Sequence, residues 1–200
     1  MHIRYASLFL IVMMTACGQA PAPATPAATP APAATTSEVT GIVPKNAIVT
    51  LLPASGAPPV PAEPAVMDQI SKQFLPRTLL ARVGQPVDFR NSEDMPHNVT
   101  VIRRESGREV FNVSTDRGQN YVHTFDRVGQ FDVKCDIHEG MEATVIVTRG
   151  PMTTIAGDDG RFSLPNVAFG SYVLSLTYSG QTVEQAVEVN GERTEVKLAR

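Results

Sequence analysis

The chain has 200 residues, 42% of them hydrophobic and 18% charged, with a formal net charge of −3. That length allows one medium domain or two small ones with cores of their own, and the acidic balance argues against nucleic acid, whose binders carry a basic excess. Tryptophan is absent and aromatic residues are few, whereas Val, Thr and Ile are plentiful, which predicts β-structure.

The first stretch, MHIRYASLFLIVMMTAC, offers Arg4 and then an apolar run of about ten residues, too short to span a bilayer. It ends in Met14-Thr15-Ala16-Cys17 and resembles a bacterial lipoprotein signal. The resemblance implies that residues 1–16 are a signal peptide and that Cys17 becomes the lipidated first residue of the mature chain. Residues 17–38 are almost wholly Ala, Pro and Thr. They cannot bury a core, so they predict an extended, semi-stiff tether. The expectation is a periplasmic protein held by its lipid to a membrane, the outer one, with its folded part standing off the surface.

Two short strands follow, VTGIV (39–43) and NAIVTLL (46–52). From residue 66 to 148 the pattern is strands broken by turns. RTLLARVGQPVDFRN (77–91) has Gly-x-Pro punctuation between two apolar runs, and HNVTVI (97–102) alternates with His97, Val99 and Val101 on one face. YVHTFDRVGQFDVKC (121–135) reads as a hairpin turning at DRVGQ, with Phe131, Val133 and Cys135 on its core face. MEATVIV resumes with Met141, Ala143, Val145 and Val147 aligned.

Beyond it, DDGRFSLPNVAFGSYVLSLTYSG (158–180) gives an Asp-Gly turn, a short strand, a Gly corner and a longer alternating strand. QTVEQAVEVNGERTEVKL adds two strands around Asn190-Gly191, a hairpin signal. This region resembles the carboxypeptidase regulatory-like domain, a small transthyretin-like β-sandwich. The family's DGRFxLxxxxxGxY pattern is met by Asp159, Gly160, Arg161, Phe162, Leu164, Gly170 and Tyr172. That family opens with Gly-x-Val and Ala-x-Val strands just before DGRF, and here their counterparts stand about a hundred residues too early, which insertion at an exposed turn would explain. The expected organisation is residues 39–57 and 149–200 as one domain, with residues 65–148 planted inside it. The alternative is that 39–52 pairs with the 65–148 domain.

Cys17 and Cys135 are the only cysteines. With the first acylated, no disulfide is available in a compartment where disulfides are common. Cys135 is then a lone thiol that is either buried and inert or bound to a ligand. Its surroundings, CDIHEGM (135–141), place Cys135, His138 and Met141 three residues apart in turn. A thiolate, an imidazole and a thioether at one pole invite a soft metal, and two His plus Cys with a distant Met is a blue-copper set. Of the other histidines, His2 goes with the signal, and His97 in NSEDMPHNV (91–99) opens a strand of core-facing parity.

With these residues in place, residues 65–148 resemble a cupredoxin of the plastocyanin and amicyanin type, through NxxxxPHNV, TFDRVGQF and the Cys-x2-His-x2-Met loop in order. The fold class implied is all-β: a cupredoxin Greek-key β-sandwich inserted in, or preceding, the small transthyretin-like sandwich. The resemblance makes His97, Cys135 and His138 equatorial ligands of one type 1 copper ion and Met141 its axial ligand. It also makes Asn98 the residue that lends a backbone N–H to the cysteine sulfur and ties the two ligand loops together. Two positions depart from the Cys-Thr-Pro-His of similar loops. Asp136 stands where a hydroxyl is usual, and Ile137, unlike Pro, carries an N–H that can offer the thiolate a second hydrogen bond. His123, counted from the turn, faces the core opposite Val133, either as a satisfied core histidine or as a group near the site that couples the copper potential to pH.

With every coordination position filled by protein, the expected function is single-electron transfer between redox partner proteins of the cell envelope. An enzyme is not expected, because the four histidines include no His-x-His pair and no His-x-x-Glu zinc pair. The alternatives are a copper storage or delivery protein of the envelope, and a scaffold module with a vestigial site.

Overall fold

A computed structural model describes residues 35–198, and the described chain is all β. The expected signal peptide, Cys17 and most of the tether lie outside these residues. Sixteen strands run in the order β1 (Thr36–Ile42), β2 (Ile48–Pro53), β3 (Ala65–Ile70), β4 (Gln73–Leu75), β5 (Thr78–Arg82), β6 (Pro86–Asn91), β7 (His97–Arg103), β8 (Arg108–Thr115), β9 (Asn120–Thr124), β10 (Gly129–Lys134), β11 (Glu142–Thr148), β12 (Thr153–Ile155), β13 (Arg161–Ala168), β14 (Gly170–Tyr178), β15 (Gln181–Val189) and β16 (Arg193–Val196).

Strands β3 to β11 build two sheets, in the orders β4-β3-β6-β9 and β5-β11-β10-β7-β8. Alternation decides which side chains enter the space between sheets. Along β10 it buries Gly129, Phe131 and Val133, and the last two meet Met67, Phe89, Val101 and Val145 in one apolar cluster. Strands β1, β2 and β12 to β16 form two more sheets, β13-β1-β16 and β12-β2-β14-β15, around a second cluster that includes Val39, Leu51, Tyr172, Leu174 and Val189. The early strands β1 and β2 pair with late ones: Val39 sits opposite Leu164 and Leu51 opposite Leu174. The two clusters are joined by polar contacts, among them Gln130 Nε2 donating to the Asn46 carbonyl at 3.0 Å and an Arg149–Glu184 ion pair.

Two expected hairpins are absent from the described residues. β9 pairs with β6, and β10 pairs with β11 and β7, so the DRVGQ segment carries the chain from one sheet to the other. Phe125 drives this crossing, since it is buried at the corner with its ring 4.4 Å from that of Phe131. His123 therefore lies opposite Val87, not Val133. Likewise Asn190-Gly191 is not a hairpin turn. β15 pairs with β14 through Ser179 and Gly180, both at positive φ as a tight two-residue hairpin turn requires, while β16 crosses to lie parallel to β1. Val189 and Val196 enter the same core from opposite sheets, which a hairpin would forbid.

Candidate metal centre

Adjacent antiparallel strands set the site. β7 and β10 pair with Thr100 opposite Lys134, so His97 at the start of β7 and Cys135 just past the end of β10 share one pole of the sandwich. The chain returns to β11 through a five-residue loop closed by the Cys135 N–H bonding the Met141 carbonyl at 3.0 Å. His97 is 0% exposed, Cys135 7% and Met141 1%, while His138 in the loop is only half-buried.

Three donor atoms converge there. His97 Nδ1 and His138 Nδ1 lie 3.8 and 3.7 Å from Cys135 Sγ, and 3.0 Å from each other. In a triangle of those sides the point equidistant from the corners is about 2.0 Å from each atom, the length of a bond from a first-row metal ion to imidazole. Two imidazole nitrogens 3.0 Å apart can share one proton or face one cation. With the sulfur completing a triangle of metal-bond radius around that point, the residues fit a metal. Thiolate and imidazole with a buried thioether close by select copper over harder ions.

Supports behind the donors fix them in place. Glu93 Oε2 accepts from His97 Nε2 at 2.5 Å, which leaves the Nδ1 lone pair facing Sγ. Both Glu93 oxygens also accept the Lys72 N–H at 3.1 Å. Burial opposes ionisation of Glu93, but the hydrogen bonds from Lys72 and His97 outweigh it and hold its carboxyl below the usual range. Asn91 shapes the same loop, its Oδ1 accepting the Glu93 N–H at 2.9 Å and its Nδ2 donating to the Met95 and Thr115 carbonyls at 2.8 Å. Burial, then the neighbouring His97 and Lys72, push the imidazole of His138 toward its neutral, metal-binding form.

Asn98 joins the two ligand segments through its side chain: Oδ1 accepts the Asp136 N–H at 2.7 Å and Nδ2 donates to Asp136 Oδ2 at 2.9 Å. Both imidazoles lie within hydrogen-bonding distance of Sγ. Ile137 is 55% exposed on the loop's outer side. His123 lies away from this pole, its ring 4.7 Å from both Phe111 and Phe125. Sequence reasoning passed over Glu93, four residues before His97 in a stretch that reads as a polar turn. It also passed over Thr100, Asn112 and Lys134, which surround the Asp136 carboxylate.

Residues 65–148 match the family of copper binding proteins, plastocyanin/azurin family. Amicyanin from Paracoccus versutus is 32% identical over 89 residues, covering 44% of this chain and 67% of the amicyanin. Plastocyanin from Ginkgo biloba is 29% identical over 84 residues, covering 38% of this chain and 85% of the plastocyanin. A purple cupredoxin from Nitrosopumilus maritimus superposes with a TM-score of 0.38 at 23% identity, over 42% of this chain and 99% of its own. The fold and the donor set are those of a cupredoxin. The chain belongs to the plastocyanin/azurin family of copper binding proteins, and its cofactor is copper.

Proposed function

We propose that the chain is a type 1 copper electron carrier tethered to a membrane on the periplasmic side. The observation that carries this reading is the convergence of His97 Nδ1, Cys135 Sγ and His138 Nδ1 within 4.8 Å of one another at a buried pole, beside Met141. In this reading His97, Cys135 and His138 hold the ion and Met141 is its weak fourth ligand. Bound copper supplies a one-electron couple. The residues' part is to hold the donors so that neither oxidation state demands rearrangement: Glu93 fixes His97, the ladder bond to Met141 closes the loop, and the core excludes water. No open position is left for a substrate, so we assign no enzymatic reaction. His138 is the donor residue nearest solvent, which makes it the natural route for an electron to a redox partner protein.

The tether and anchor rest on the sequence: a lipobox-like Cys17 followed by an Ala/Pro/Thr-rich stretch. We further propose two domains, residues 65–148 inserted between residues 39–57 and 149–200 of a transthyretin-like sandwich. The pairing of β1 with β13 and of β2 with β14 supports this.

The test is the absorption spectrum of the soluble part with Cu(II). An intense thiolate charge-transfer band at one copper per chain, lost on reduction and absent in Cys135→Ser, is expected. Tight binding without that band would favour copper storage or delivery instead.

A further inference from the structure

The residue after the cysteine is an aspartate whose carboxylate is surrounded by donors from three strands. Asp136 Oδ2 accepts from Thr100 Oγ1 at 2.5 Å and Asn98 Nδ2 at 2.9 Å on β7, and from Asn112 Nδ2 at 3.2 Å on β8. Its Oδ1 pairs with Lys134 Nζ at 2.9 Å on β10, and its own N–H donates to Asn98 Oδ1 at 2.7 Å. Asn98 and Thr100 are themselves buried, and Asn98 Nδ2 is shared among Asp136, Thr100 Oγ1 and Asn112 Oδ1. A hydroxyl in this place would have two lone pairs and one proton. It could not serve three neutral donors and an ammonium together, whereas an ionised carboxylate has about four acceptor sites.

We propose that Asp136 is a positioning residue of the copper site, an anionic latch that locks the ligand loop onto β7, β8 and β10. This rests on the copper reading above. The latch joins the backbone next to Cys135 to the backbone next to His97, so it sets the Sγ–Nδ1 separation before any metal arrives. It also places a negative charge one residue from the thiolate. A fixed anion there favours Cu(II) over Cu(I), because the oxidised site carries one more positive charge. Lys134 offsets part of that charge, so the net effect is moderate.

The experiment compares the wild-type holoprotein with Asp136→Asn, Asp136→Ala and Thr100→Val, reading copper stoichiometry, spectrum, reduction potential and copper release to a chelator. Asp136→Asn keeps the shape and one acceptor but removes the charge. It should stay blue and prefer Cu(II) about threefold less, a potential roughly 30 mV higher for a one-electron couple. Asp136→Ala should release copper at least tenfold faster, with Thr100→Val between it and wild type. If Asp136→Ala does not fold, the other two variants decide the matter. A lower melting temperature with unchanged potential and release rate would reduce Asp136 to an ordinary structural contact and overturn the proposal. A wild type that binds copper without the thiolate band would instead overturn the electron-carrier reading, so the two failures are distinct.

Discussion

At the scale of single residues, the candidate metal donors were legible because their chemistry is scarce. A single cysteine besides Cys17, few histidines and a Cys-x2-His-x2-Met spacing leave little else for those side chains to do, and the donor atoms of His97, Cys135 and His138 do converge. What surrounds them was not legible. Whether a backbone N–H points at a sulfur depends on loop dihedrals that composition does not encode. Asp136 and its partners come from residues far apart in sequence, so only the pairing of β7, β8 and β10 reveals them. His123 carries a prediction of its own. Burial against Phe111 and Phe125 lowers its imidazole pKa from the ordinary 6.5, with Asp126 opposing only in part. The unfolded chain therefore takes up this proton first as the pH falls. Its contribution to stability is intact above about pH 6.5 and is lost below it. His123→Phe should therefore lose less stability than wild type between pH 7.5 and 5.5, measured as the urea midpoint at each pH. Equal losses in the two proteins would show that the half-buried ring is not what makes the fold sensitive to acid over this range.

At the scale of elements, the period of two gave the strands and their buried faces but not their partners. Phe131, Val133 and Cys135 do share a face, yet β10 reaches β11 and β7 and not β9. Alternation is satisfied whichever sheet a strand joins, so the partner is chosen by packing between sheets. The DGRF turn was read correctly because its glycine meets two demands at once. Gly160 has φ of +77°, and a Cβ there would stand 2.3 Å from the Val43 carbonyl oxygen, the acceptor side of a junction that also bonds Val43 N–H to Gly160 C=O at 2.9 Å. Gly160→Ala should cost roughly 1–3 kcal/mol from the backbone alone, and more from the clash. Circular dichroism melting should show the loss in the β1–β2–β12–β16 region, with the copper spectrum unchanged. A bleached copper band in this variant would mean that the two cores are mechanically one.

At the scale of the whole molecule, the two apolar clusters are separate and meet through polar contacts such as Gln130 to Asn46. Copper can bind only where its donors are folded, so it should stabilise one core selectively, by about 2.7 kcal/mol when free metal is a hundredfold above the dissociation constant. Calorimetry of the metal-free and copper-loaded protein should therefore show two transitions, of which only one moves. A single transition shifting as a unit would make the molecule one cooperative body.

The position of β1 bears on how the chain is made. This first strand lies between β13 and β16, so Glu38 faces Arg193, near the opposite end of the sequence. Until β12 to β16 have emerged, β1 and β2 have no sheet to join and must wait for everything between them. The 65–148 region has all its own strands by Thr148 and can close around its core while the sheets of the other cluster are still unfinished. Closing the long loop is then easier, because a folded segment replaces a floppy chain and holds the two waiting strands within reach of their late partners.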